Sequence, residues 1–141
     1  MARAALSWRA SVAVPSNTTF GIRPKRNRRN TACAAWRETV LALITEFGRT
    51  ARINGNEGTD HGTATVALLA GGALKGGRVI ADWPGVKEAS LYQNRDLRPT
   101  TDLRAVLKGL LKDHLRVEDR PLSGDVFPDS GDARPMEGLL A

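Results

Sequence analysis

The sequence predicts an α/β fold, and three observations carry that prediction. Val40-Leu41-Ala42-Leu43-Ile44 is an unbroken apolar run, the pattern of a strand buried on both faces of a sheet. Thr65 to Leu69 is a second β-branched and aliphatic run, ending at Gly71-Gly72. Leu103, Val106, Leu107, Leu110, Leu111 and Leu115 then recur at three- and four-residue spacing, the apolar stripe of one long amphipathic helix.

Each element follows from its residues. Ala34 to Glu38 reads as the end of a helix, and Thr39 to Ile44 as the first strand. Thr50 to Gly62 is a long polar loop with Asn54-Gly55-Asn56 and Glu57-Gly58 turn signals. Lys75-Gly76-Gly77 predicts a tight turn and Arg78 to Ala81 a short strand, which would pair with Thr65–Leu69 as a hairpin. Asp82-Trp83-Pro84-Gly85 is a further turn. Thr100 or Thr101 is placed to cap the long helix, with Asp102 complementing the positive end of its dipole. Arg104, Lys108 and Lys112 are expected on its solvent face. Past Val117, repeated Pro and Gly predict an extended tail that either lies on the domain or runs through water.

Charge divides the chain. Residues 1–37 hold eight basic residues and no acid, whereas the remaining 104 hold 13 basic and 15 acidic residues. The formal net charge of +6 and the pI near 10.2 therefore describe the first quarter alone. Low hydrophobicity with high charge predicts a disordered basic leader over residues 1–33, foreign to the domain at 34–141. Arg28-Arg29 is followed by no apolar stretch of export-signal length, so the chain as given reads as cytoplasmic. No apolar run is long enough for a membrane helix. The single cysteine, Cys33, excludes an internal disulfide and stands outside any metal-ligand spacing.

Functional candidates cluster just beyond the first strand, where open α/β sheets gather their site residues. They are Glu46 and Arg49 in Thr45-Glu46-Phe47-Gly48-Arg49-Thr50, and Asp60 and His61 in Gly58-Thr59-Asp60-His61-Gly62. His61 lies in a glycine-flanked polar loop, which favours a site role over a core role. Glu46 is either a site acid or an ion-pair partner of Arg49 or Arg52. Asp60 also suits a turn, and His114 near the end of the long helix suits the negative end of its dipole. Lys75-Gly76-Gly77 lacks the pattern of a phosphate-binding loop.

These segments, together with Trp36-Arg37-Glu38-Thr39, Leu68-Leu69-Ala70-Gly71-Gly72, Asp96-Leu97-Arg98-Pro99-Thr100-Thr101-Asp102 and Val126-Phe127-Pro128, fall in an order that resembles the last part of a bacterial sulfatase-like family of unknown function in the alkaline phosphatase superfamily. The resemblance covers about residues 35–141 and implies a partial alkaline-phosphatase-like sheet (the C-terminal portion), with one long helix and an extended tail. Members are often exported, and the superfamily holds divalent metals with Asp, Glu and His. It implies His61, Asp60 and Glu46 as vestigial metal ligands. The superfamily strand corresponding to Val40–Ile44 usually ends in an Asp-His pair, where this chain has Glu46-Phe47. The nucleophile and first metal carboxylate belong to a segment upstream of the resemblance, so no catalytic residue is assigned.

Two functions are thereby expected. One is a truncated C-terminal fragment of a sulfatase-like protein, its parent a metal-dependent phosphate- or sulfate-ester hydrolase and the fragment inactive. The alternative is a small basic protein whose N-terminal tail engages nucleic acid or another polyanion. The near-neutral charge of residues 38–141 argues against nucleic acid as partner.

Overall fold

The computed structural model describes residues 10–13 and 31–141 and shows a mixed α/β architecture. In chain order the elements are β1 (Ala10–Ala13), α1 (Thr31–Arg37), β2 (Leu41–Leu43), β3 (Gly48–Arg49), β4 (His61–Gly62), β5 (Thr65–Ala70), β6 (Val79–Ile80) and α2 (Leu103–Leu115). A one-turn helix α3 (Asp119–Pro121) runs into a wide turn over Leu122–Val126.

Four strands form one sheet in the order β2-β5-β1-β6, and β3 pairs with β4 in a second, two-stranded sheet. The strand β5 is antiparallel to β2, with Ala42 opposite Leu69, and parallel to β1, with Val12 opposite Ala67. The strand β6 pairs antiparallel with β1. The hairpin expected between Thr65–Leu69 and Arg78–Ala81 is therefore absent, because β1 lies between the two strands. Ala10–Ala13, which falls within the stretch read from sequence as a leader, forms the strand between β5 and β6. The remaining positions of the stretch up to residue 30 lie outside the described residues.

The sheet has one dry face. Ala67 and Leu69 point toward Leu103, Val106 and Leu110 of α2, and Leu139 completes this core. Val40, Ala42 and Ile80 pack against it. Alternation along β5 sends Val66 and Leu68 the other way, beside Leu41, Leu43 and Val79, and all five are 41–61% exposed. The first strand is thus not buried on both faces as its run predicts. Its apolar outer positions face water, and it is the edge of the sheet as described.

The long helix begins at Leu103, one or two residues later than expected. Asp102 is its N-cap, and a carboxylate oxygen accepts from the Arg104 backbone N–H at 2.8 Å. The same carboxylate pairs with the Arg104 guanidinium at 2.7 Å. Arg116 ends the helix in the left-handed region with φ 58°, and the N–H of Val117 returns to Leu111.

The chain beyond Val117 lies on the domain. Leu122, Ser130, Ala133 and Leu139 are buried, and the Met136 N–H donates to Ala105 of α2 at 2.8 Å. The end of the chain runs beside residues 73–75, where Lys75 N–H donates to Leu139 and Ala141 N–H to Ala73. Gly109 permits this approach, because a Cβ there would collide with the Met136 carbonyl. The helix is consequently covered on two sides. Lys108, expected on a solvent face, is 1% exposed.

Candidate functional site

The site is a corner built where the β3–β4 pair meets the start of β5, the Arg49 N–H donating to the Ala64 carbonyl at 3.3 Å. Thr45 begins the turn by accepting the Phe47 N–H on its hydroxyl at 3.2 Å. The chain then pairs Gly48 with Gly62 and Arg49 with His61. Both glycines are needed for this close crossing: a Cβ on Gly62 would sit 2.5 Å from the Arg49 carbonyl carbon. The pairing brings together segments fourteen residues apart and stacks the Phe47 ring on His61, with centroids 4.6 Å apart and planes at 20°.

The polar loop between β3 and β4 is wound on Asn54. Its Oδ1 accepts the N–H groups of Asn56 and Gly58, each at 3.0 Å, and its Nδ2 donates to Asp60 Oδ1 at 2.8 Å. Asp60 is also held by its backbone: its N–H donates to Thr50 Oγ1, and its carbonyl accepts the Thr50 N–H at 3.0 Å. Arg49 closes the loop by donating to the Thr59 carbonyl at 2.9 Å. Arg52 pairs with Glu88 at 2.5 Å. The two arginines weighed as partners of Glu46 thus have other contacts.

Beneath the loop lies Asp96, 1% exposed. Thr63 Oγ1 donates to its Oδ2 at 2.5 Å and Arg95 Nε to its Oδ1 at 2.7 Å. Burial alone would push this carboxyl up, but the hydrogen bonds from Arg95 and Thr63, aided by the Arg95 charge, outweigh it and hold it below the usual carboxylate range. The same hydrogen bond raises the Arg95 guanidinium above its ordinary value. Asp96 also joins the loop by a backbone bridge to Thr50, and a second bridge to Tyr92 closes its own turn.

Of the residues chosen from sequence, Arg49 and His61 are paired across strands, Asp60 adjoins His61, and Glu46 precedes the ring stacked on His61. All four are exposed. Among the described residues, no group of three or more His, Cys, Asp or Glu side chains is arranged to hold a metal ion. Glu46, Asp60 and His61 therefore do not form a complete ligand set. Sequence reasoning missed Asn54, Asp96 and the Phe47–His61 stack. The Asn54-Gly55-Asn56 signal marked the turn, whereas nothing local in the sequence marks Asp96 as buried.

The fold and the corner define a small α/β unit with a polar strand-end loop braced from below by a buried carboxylate. The sequence model of the family described as "Protein of unknown function (DUF1501)" matches residues 31–127, and the chain belongs to that family. No curated protein and no solved structure matches the chain.

Proposed function

We propose that the chain carries the portion of a sulfatase-like domain, of the alkaline phosphatase superfamily kind, that presents Glu46, Asp60 and His61, and that these residues are relics of a divalent-metal site. The observation that carries this reading is the pairing of Arg49 with His61, together with the Phe47–His61 stack. It sets Glu46-Phe47 and Asp60-His61 side by side at a strand end, as a ligand pair contributed by two segments would be.

The chain alone performs no ester hydrolysis on this reading. Metal catalysis needs fixed coordination and support from neighbouring groups. Only Asp60 of the three candidates has a described side-chain hydrogen bond, from Asn54. What the corner's own residues do is structural: Arg49 and Asn54 hold the loop, and Phe47 covers one face of His61. The test is an assay of aryl phosphate monoesters, phosphodiesters and sulfate esters with zinc, magnesium, manganese or calcium. We expect no turnover above the buffer rate. Hydrolysis that disappears in His61→Ala would overturn the reading and make the chain a compact enzyme.

A further inference from the structure

Lys108 is the largest side chain among the fully buried ones, and its stem lies in the middle of α2. Buried lysines ordinarily face a carboxylate, since an uncompensated charge is costly away from water. Here all three acceptors are neutral oxygens. Lys108 Nζ donates to the Ser130 carbonyl at 2.7 Å, the Ala133 carbonyl at 3.1 Å and Ser123 Oγ at 3.3 Å. The three donors of an ammonium are matched by three acceptors.

The acceptors come from a segment bent around the cation. Asp129 adopts the left-handed region with φ 56°, and the Ser130 hydroxyl donates to the Phe127 carbonyl, closing the turn from inside. Ser130 itself is 0% exposed. Three carbonyl and hydroxyl oxygens turned onto one point at 2.7–3.3 Å are hydrogen-bond acceptors spaced for an ammonium nitrogen. Beside this point lies a cleft of about 490 Å³, lined by Lys112, Asp119, Ser123, Arg134 and Glu137 as well as Lys108.

We propose that the oxygens of Ser123, Ser130 and Ala133 form a cage for a small monovalent cation, that the Lys108 ammonium is its built-in occupant, and that this cation latches the segment 118–136 onto α2. The cleft is the route by which a free ion reaches the cage once the lysine is removed. Ammonium and methylammonium, which carry the donors that the cage accepts, are its preferred external ligands.

The experiment compares Lys108→Ala and Lys108→Met with the full wild-type chain by thermal unfolding in sodium, ammonium, methylammonium and tetramethylammonium chloride at equal ionic strength. Lys108→Ala is expected to lower Tm by roughly 10 °C. Methylammonium should restore at least half of that loss, and tetramethylammonium none, while the wild type is indifferent to the choice of cation. Lys108→Met fills the stem without donors, so it should lose stability and show no rescue. Should Lys108→Ala fail to fold in sodium chloride, wild-type ¹⁵N NMR reads the cage directly as an Nζ signal protected from exchange. Rescue equal in all four salts, a Lys108→Met protein as stable as wild type, or a freely exchanging Nζ would each overturn the proposal.

Discussion

Asp96 shows how one buried residue can hold a site that it does not enter. Its carboxylate ties Thr63, at the foot of β5, to Arg95, while its backbone bridges to Thr50 of the loop. A carboxyl held below its ordinary range contributes stability that is fully present above the unfolded value near ~4 and is lost as pH falls through the folded value. We therefore expect urea-unfolding stability to be flat from pH 7 to about 5 and to decline below about 4, with Asp96→Asn flattening that acid limb. The same substitution should cost about 1–3 kcal/mol at neutral pH, because Arg95 and Thr63 lose a charged acceptor. An unchanged acid limb in Asp96→Asn would place the pH dependence elsewhere. Gly109 makes the complementary point about space. Alanine there should gain about 1 kcal/mol of helix propensity, yet the collision with the Met136 carbonyl should make the net change destabilising. Chemical denaturation of Gly109→Ala reads the sign directly.

The clearest element is α2, and its legibility was uneven in an instructive way. The stripe of Leu103, Val106 and Leu110 was readable because helical periodicity is local, and the structure places all three in the core. Its cap was misplaced by one or two residues, since Thr100, Thr101 and Asp102 are all suitable caps and only the backbone decides among them. Asp102→Ala removes both the Arg104 N–H acceptor and the Arg104 ion pair, so a loss of about 1 kcal/mol is expected in a thermal melt. The second buried side of α2 was not readable. Arg104, Lys108 and Lys112 look like a solvent face until the C-terminal segment is laid on it. Arg104 then lies under Asp129, Lys108 is enclosed and Lys112 pairs with Asp119 at 2.8 Å.

At the scale of the molecule, the described residues pack a core on one face of the sheet. Leu41, Leu43, Val66 and Leu68 make an apolar patch on the outer face of the β2–β5 pair, and the β2 edge beside it carries no charged residue from Thr39 to Thr45. Such a combination favours association between chains. Leu43→Lys should change monomer stability by only about 0.5 kcal/mol, because the side chain is half in water already. It should also lower light scattering on concentration. Leu69→Ala, one position along β5 on the dry face, should instead cost about 2–5 kcal/mol. Equal effects of the two substitutions would show that the outer face is covered in solution.

Local signals alone specified much of this protein. The apolar run before Thr45, the run from Thr65, the helix from residue 103 and the polar loop containing Asp60 and His61 were all readable, because strand and helix periods and turn chemistry act over a few residues. The cross-strand pairing of Arg49 with His61, by contrast, was written in no local signal. The tertiary structure decided the rest. It put β1 between β5 and β6, left one face of β2 in water, and buried Lys108 and Asp96. The physical reason is the same in each case: burial and pairing across long separations depend on which other segment arrives. The residues 118–141 determine that for Lys108, and Arg95 with Thr63 determine it for Asp96.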